Sequence, residues 1–263
     1  MTRAIPILLY HSIAADPPAG IAPWTVRPEE YLRQLDHLAE AGFTAITVSA
    51  YRDALRHGPA RLPDRLVVIT FDDGYADTAE LAVPALVERG FPATLYVTTG
   101  MLRDGRASGT VQPPGRMLDW SELAGLEARA IEIGAHSHTH PQLDTLPRAA
   151  ARDEIVRSRD LLTDRLGHPV RSFAYPYGYS SRAVRQLVAQ AGFDSACAVR
   201  NALSPTRDDL FALARLTVLR TTSMPEFRGW ADGTGAVVAP SRERLATTGW
   251  RAVRRVRART VRR

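Results

Sequence analysis

The chain has 263 residues, of which 45% are hydrophobic and 24% are charged, proportions that exclude a disordered chain and allow one large domain or two small ones. All 34 basic residues are arginine, which excludes catalysis through a lysine Schiff base. Cys197 is the single cysteine, so the chain forms no internal disulfide and no thiolate zinc site. No apolar run approaches the roughly 20 residues that a membrane-spanning helix needs.

The positive charge is concentrated at the C-terminus. Residues 242–263 contain nine arginines and one glutamate, a local charge of +8, whereas the rest has 25 arginines and 27 acidic residues. A body so close to neutral predicts no nucleic-acid partner. We divide the chain into a folded domain, residues 1–222, and an Arg-rich tail, residues 223–263, which we expect to be flexible.

Strand and helix patterns alternate along most of the folded domain. The predicted strands are 5–10, 44–48, 66–71, 93–98, 131–135, 171–175, 195–199 and 213–219, and the predicted helices are 28–41, 50–57, 77–89, 120–129, 148–166 and 181–191. Strands that alternate with helices favour a parallel α/β architecture. This number of strands and helices suits a barrel better than an open sheet.

Two adjacent carboxylates, Asp72 and Asp73, follow the apolar strand 66–71 in the sequence TFDDG. Two carboxylates at the end of a buried strand are costly unless a positive group lies between them. Because Asp-Gly is also a common turn pair, a solvated turn is the alternative interpretation.

Three histidines follow the strand 131–135 in the sequence HSHTH, residues 136–140. His136 and His140 can converge on one ion if the chain turns helically after the strand. Neutral imidazoles and a carboxylate form the ligand set of a hydrolytic zinc site with an open position. His138 lies between them and is expected to point away, although a role as a third ligand is the alternative.

These motifs, with the later sequence FAYPYG at residues 173–178, resemble the polysaccharide deacetylases, the carbohydrate esterase family with the NodB homology domain. The resemblance runs from about residue 5 to residue 219. It implies a distorted barrel of the (β/α)7 type. It also implies hydrolysis of the acetamide of an N-acetylated amino sugar in a glycan or a glycan precursor.

The resemblance also implies roles for individual residues. Asp73, His136 and His140 match the metal-binding triad of the family, which usually holds Zn²⁺. Asp72 matches the general base that takes a proton from the attacking water. Tyr177 matches the residue whose backbone N–H helps to hold the oxyanion.

The chain departs from the family pattern at two places. The arginine that usually begins the third motif and pairs with the base is replaced by Ala174, and Arg215 is the candidate substitute. The histidine that usually acts as the general acid near the C-terminal end of the barrel is missing. The start of the chain, LLYHS at residues 8–12, resembles the branch that includes poly-N-acetylglucosamine N-deacetylases, in which the barrel is circularly permuted. In that branch the acid comes from the first strand, which makes His11 the candidate here.

Other interpretations stay open at the level of sequence. The chain could be another metal-dependent amide hydrolase, or an inactive barrel that binds carbohydrate. The tail could be solvated, could contact nucleic acid, or could bind peripherally to an anionic membrane, because arginines near such a surface are favourable. With no export signal recognised, we expect a cytoplasmic protein.

Overall fold

The computed structural model describes residues 3–58, 62–105, 112–240, 249–250, 253–255 and 257. Its strands are β1 (Ala4–Ile5), β2 (Ile7–Tyr10), β3 (Ser12–Ile13), β4 (Thr25–Val26), β5 (Thr44–Ile46), β6 (Leu66–Phe71), β7 (Ala93–Val97), β8 (Ile131–Ala135), β9 (Ser172–Ala174), β10 (Ser195–Cys197), β11 (Ser204–Pro205) and β12 (Leu216–Thr217). Its α-helices are α1 (Pro28–Glu40), α2 (Val48–His57), α3 (Val83–Glu88), α4 (Trp120–Glu127), α5 (Arg148–Leu166), α6 (Arg182–Gln190) and α7 (Met224–Ala231). Each predicted strand and helix has a counterpart whose bounds shift by a few residues, but the expected strand 5–10 and the expected helix 77–89 are each divided into two elements.

The central sheet is parallel and curls on itself. Its strand order is β10-β9-β8-β7-β6-β2-β12, and β5 pairs with the first half of β6. Leu216 pairs with Leu8 of β2, and Leu213 pairs with Cys197 of β10, so the segment that contains the last strand of the sheet also pairs with the first strand in the sheet order. Because the strands are parallel, their carboxyl ends lie along one rim, where the loops that follow them meet.

The strands are buried on both faces, as the apolar runs in the sequence indicate. All six residues of β6 are buried. Val67, Ile69 and Phe71 pack in the large cluster that also contains helix residues, whereas Leu66 and Val68 pack in a smaller cluster. The alternation follows from the two-residue period of a strand. This burial holds β6 rigidly beneath the two carboxylates that follow it.

Two prolines explain where the elements differ from the expected ones. The expected strand 5–10 is divided at Pro6, and β1 pairs antiparallel with β11 instead of joining the parallel sheet. In the expected helix 77–89, a π-helical turn, Thr78–Ala82, precedes α3. Pro84 in the first turn of α3 has no N–H to donate, and its ring crowds the carbonyl four residues earlier, which a widened preceding turn relieves.

Helix α7 lies beyond residue 222, where the sequence placed the start of the tail. Phe227 is fully buried and Trp230 is 8% exposed, and the helix packs against α1. Ser223 caps the helix by accepting a hydrogen bond from the Glu226 N–H. The packed part of the chain therefore continues past the expected boundary. Among the described residues, the search for a helix long and apolar enough to cross a bilayer finds none.

Candidate active site

The loops after four strands meet at the carboxyl rim of the sheet. His11 follows β2, Asp72 and Asp73 follow β6, His136 follows β8, and Tyr177 follows β9. All of these residues line one cleft of about 510 Å³. The sheet thus brings together groups that are up to 166 positions apart in the chain.

Asp73, His136 and His140 form the centre of this cleft. Their ligand atoms all lie within 4.8 Å of one another. The Asp73 Oδ1 atom is 3.5 Å from His136 Nε2 and 3.3 Å from His140 Nε2. Ligands that surround a tetrahedral ion at about 2 Å lie about 3.3 Å from each other. The three side chains therefore fit a divalent ion with two imidazoles and one carboxylate.

A hydrogen bond to the backbone orients the His136 ring for this role. Its Nδ1 atom lies 2.8 Å from the carbonyl oxygen of Ala174 at the end of β9, and a carbonyl can only accept. The proton therefore lies on Nδ1, and the lone pair of Nε2 points towards Asp73. Ala174 supplies this acceptor from its backbone, at the position where the family usually has an arginine.

Attraction between the carboxylates and the imidazoles of this cluster offsets the unfavourable effect of burial on their charged forms. Burial raises the pKa of Asp73, but the neighbouring His136 and His140 outweigh burial and bring this pKa well below its usual value. Burial lowers the pKa of His136, but the nearby Asp72 and Asp73 raise it more, so the net shift is upward. A cluster of this kind in a cleft is typical of a functional site.

Asp72 is paired with Arg215, the substitute expected from the sequence. Arg215 is fully buried at the start of β12, and its Nη1 and Nη2 atoms each donate to one Asp72 oxygen at 2.7 Å. The guanidinium also donates to Thr70 Oγ1 and to the Ala198 carbonyl oxygen, at 3.2 Å in both cases. Burial raises the pKa of Asp72, but Arg215 and then His136 outweigh it, so the net shift is downward. Asp72 is therefore an ionised carboxylate beside the triad, 3.8 Å from His136 Nε2.

His11 lines the same cleft. Burial lowers the pKa of His11, and the opposing effects of Asp73 and Asp72 are smaller, so the net shift is downward. Its Nδ1 atom is buried and has no hydrogen-bond partner among the described residues. The residue is partly exposed and lines the cleft, so its imidazole can exchange a proton with a molecule bound there.

Tyr177 is held in an unusual backbone conformation. Its φ of 59° is left-handed, and its ring is 55% exposed, with its centroid 4.7 Å from that of His140. Gly178 follows with a φ of 70°, and a Cβ atom there would lie 2.4 Å from Val199. Only glycine fits at that position, which explains the Tyr-Gly pair of the motif.

His138 lies outside the triad, as the sequence analysis expects. Its Nδ1 atom is 2.9 Å from Thr99 Oγ1. Glu154 on α5 holds this part of the loop, because its carboxylate accepts from the backbone N–H groups of His138 and Thr139 and from the Thr139 hydroxyl. Nothing in the sequence marks Glu154, since its partners lie 15 and 16 residues away on a different element.

The cleft also has aromatic walls that the sequence analysis did not single out. Trp24, 42% exposed, lines it, as does Tyr179, which stacks on Tyr177. Tyr175 is fully buried and donates to the Phe211 carbonyl oxygen, which makes it a core residue.

Comparisons with known proteins agree with this geometry. The profile of the family described as polysaccharide deacetylase matches residues 60–196, which is about half of the chain. YxkH of Bacillus subtilis (strain 168), whose name places it among polysaccharide deacetylases, is 22% identical over 214 residues, which cover 81% of this chain and 71% of that protein. The poly-beta-1,6-N-acetyl-D-glucosamine N-deacetylase of Escherichia coli (strain K12) is 22% identical over 237 residues, which cover 77% of this chain and 35% of the length of that enzyme.

A solved structure shows the same fold. The deacetylase PplD of Streptococcus pyogenes, in complex with acetate, superposes with a TM-score of 0.76 and 25% identity, over 87% of this chain and 97% of that chain. The family match covers both the paired carboxylates and the histidine motif, which the structure brings into one cleft. The chain therefore belongs to the polysaccharide deacetylase family, whose members are hydrolases that act on N-acetyl amide bonds.

Proposed function

We propose that this chain is a metal-dependent N-deacetylase that removes the acetyl group from an N-acetylated amino sugar in a glycan. The observation that carries the proposal is the convergence of Asp73, His136 and His140 beside the ion-paired Asp72 in one cleft. The donor set of two imidazoles and one carboxylate suits Zn²⁺ with an open position. When bound, such an ion polarises the acetyl carbonyl and makes water more acidic.

In this proposal each residue of the cleft has one task. Asp72 accepts a proton from the attacking water, and Arg215 holds this carboxylate ionised and correctly oriented. The backbone N–H of Tyr177 stabilises the negative charge that develops on the acetyl oxygen. His11 gives a proton to the nitrogen as the C–N bond breaks, so that acetate and a free amine leave.

The position of His11 also supports a barrel that is circularly permuted relative to the commonest family members. His11 follows β2, and β2 pairs with β12, the last strand of the sheet. A residue at the end of the first strand can therefore occupy the region that a residue near the C-terminal end occupies in those members. The catalytic acid then needs no histidine after His168.

The name of the Escherichia coli relative supports N-acetylglucosamine as the sugar class. The cytoplasmic location expected from the sequence stays a prediction, as does the choice between a glycan and a glycan precursor as the substrate. Peripheral contact of residues 242–263 with an anionic membrane is a further proposal, supported by the local charge of +8. Most of that segment lies outside the described residues.

Acetate release tests the proposed function. The substrates are oligomers of N-acetylglucosamine with β-1,6 and β-1,4 linkages, offered to untreated protein, to protein treated with a chelator, and to chelated protein resupplied with Zn²⁺. We expect release that the chelator abolishes and Zn²⁺ restores, and no release by the Asp73→Ala/His136→Ala double variant. Chelator-resistant release, or release by the double variant, would contradict the site. Glycan binding without release would favour the inactive barrel.

A further inference from the structure

The Arg-rich C-terminal segment contacts the body of the protein beside the active site. Arg254 Nη1 and Nη2 donate to the two carboxylate oxygens of Asp144 at 2.8 and 2.7 Å, and Nη1 is also 3.2 Å from Gln142 Oε1. Arg255 Nε donates to the Asp144 carbonyl oxygen at 2.8 Å. The side chains of Arg254 and Asp144 are 7% and 0% exposed. Two consecutive arginines thus hold one residue by both its side chain and its backbone.

Asp144 belongs to the loop that carries the proposed metal ligand His140. It lies in a short 3-10 helix, Leu143–Thr145, only four residues after that histidine. A displacement of Asp144 would therefore also displace His140, because only a short stretch of chain connects them. The bidentate pair restrains both the distance and the plane of the carboxylate.

The same guanidinium also covers the opposite loop of the cleft. The Cζ atom of Arg254 is 3.5 Å from the centroid of the Tyr179 ring, and Tyr179 stacks on Tyr177 with an angle of 21° between the rings. Tyr177 in turn contacts His140. Arg254 is therefore connected to His140 along two routes, one through Asp144 and one through the two tyrosines.

Both loops need support because their backbones are strained. Ser137 and His140 have φ values of 64° and 61°, and Tyr177 has a φ of 59°. This left-handed conformation is unfavourable in free energy for residues other than glycine, so it persists only where surrounding contacts enforce it. Glu154 supports the first half of the histidine loop, and Arg254 contacts its far end.

We propose that Arg254 is a positioning residue, which fixes the loop of His140 and the loop of Tyr177 relative to each other from the C-terminal segment. The inference rests on the proposed function, because His140 is there a metal ligand and Tyr177 an oxyanion donor. Part of the Arg-rich segment then completes the active site. Arginine suits the position, since its planar fork binds the carboxylate at two points while its face stacks on the tyrosine ring.

The test compares single substitutions in the full-length protein. Arg254→Gln removes the ion pair, and Arg254→Lys keeps the charge but loses the planar fork. Arg257→Gln is the matched control, because it removes one charge from the same segment at a residue whose described ring contact is with Trp250. The measurements are kcat and KM for acetate release, the affinity for Zn²⁺ by competition with a chelator, and the melting temperature of the metal-free protein.

We expect Arg254→Gln to weaken Zn²⁺ binding by about tenfold, as loss of a group that orients a ligand does, and to lower kcat at least as much with a smaller effect on KM. Arg254→Lys should lie between Arg254→Gln and wild type, and Arg257→Gln should match wild type. A fall in melting temperature with unchanged Zn²⁺ affinity and kcat would show a merely structural role and overturn the inference.

The outcomes separate this inference from the proposed function. If wild type releases acetate and Arg254→Gln equals the control in kcat and Zn²⁺ affinity, the inference fails and the function stands. If wild type binds Zn²⁺ but releases no acetate, the function fails, and the difference in Zn²⁺ affinity still decides the role of Arg254. If wild type binds no Zn²⁺, both are wrong.

Discussion

At the scale of single residues, Asp72 and Asp73 have adjacent positions but opposite partners. Asp73 faces two imidazoles, whereas Asp72 faces a fully buried guanidinium. Both carboxylates have a lowered pKa, yet only Asp72 is held by a group that cannot give up its proton. This difference in environment supports the proposed division of roles, with Asp73 as a metal ligand and Asp72 as the general base.

Asp72→Asn tests this division of roles. The amide cannot accept a proton from water, but it keeps the shape of the side chain beside Arg215. We expect Zn²⁺ binding to be retained and kcat to fall by at least ~100-fold, the lower range for loss of a general base. Asp164→Asn, an exposed substitution on α5, is the control. Acetate release within a few-fold of wild type would exclude Asp72 as the base.

His11→Ala tests the other half of the proton transfer. We expect this variant to bind Zn²⁺ normally and to lose the basic limb of the pH–rate profile, because that limb reports deprotonation of the acid. A basic limb that persists with near-normal turnover would show that the acid is another residue.

At the scale of elements, Asp77, the residue that precedes the π-helical turn, lies within hydrogen-bond distance of β3. Asp77 accepts from Ser12 Oγ at 2.5 Å, and burial raises its pKa to about 6 although Ser12 and nearby N–H groups oppose the shift. The usual value for an aspartate in an unfolded chain is about 3.9. The folded protein therefore binds this proton more tightly than the unfolded chain. It follows that the contribution of Asp77 to stability falls as the pH rises from about 4 to about 6.

Asp77→Asn should remove this pH dependence. At pH 7.5 the amide avoids burial of a charge, so we expect its free energy of unfolding to exceed that of wild type by up to about 3 kcal/mol. At pH 4 the two proteins should be nearly equal, since the wild-type carboxyl is then protonated. Urea unfolding at both pH values measures the difference, and an equal difference at both would contradict the prediction.

Helix α5 stabilises the histidine loop through Glu154. Its carboxylate accepts three hydrogen bonds from that loop, at 3.0, 2.7 and 2.6 Å. Glu154→Ala should lower the free energy of unfolding by about 2–3 kcal/mol, because hydrogen bonds to a charged group are the stronger kind. It should also weaken Zn²⁺ binding. Asp164→Ala, on an exposed part of the same helix, should change neither, and equal behaviour of the two variants would be evidence against this role.

At the scale of the whole molecule, we propose two roles for the charge of the C-terminal segment. Arg254 and Arg255 contact Asp144, whereas the proposal of membrane contact concerns the segment as a whole. Each arginine near an anionic surface contributes about 1 kcal/mol, and salt screens this attraction. Arginines beyond Arg255 can therefore bind a membrane while the contacts with Asp144 persist.

Co-sedimentation with anionic lipid vesicles checks this prediction. Wild type should bind at low salt and dissociate at high salt. A variant with glutamine at Arg257, Arg259, Arg262 and Arg263 should lose most of the binding. The matched control carries glutamine at four exposed arginines of the helices, Arg33, Arg56, Arg152 and Arg182. Equal sedimentation of the two variants would show that the arginines of the tail have no special role in membrane binding.

The order of strands and helices could be predicted from the sequence, and the resemblance of its motifs to a known family predicted the proposed metal triad. Apolar periodicity is local, so each strand can be recognised from its own residues. Parallel strands bring their carboxyl ends to one rim, so Asp73 and His136 are expected to meet even though 63 positions separate them. The motifs were enough to indicate the family, which the comparison then showed.

The distant side chains that hold these residues in place could be identified only in the folded protein. Arg215 could be named as a candidate, but its bidentate contact depends on how β12 lies beside β2. Glu154 and Arg254 leave no mark in the sequence, because their partners belong to other elements. Helix α7 has a capping signal at Ser223 and Glu226, yet its place in the fold follows from packing against α1. Local pattern specifies an element, whereas the partner of a buried charge is chosen by the way the elements pack.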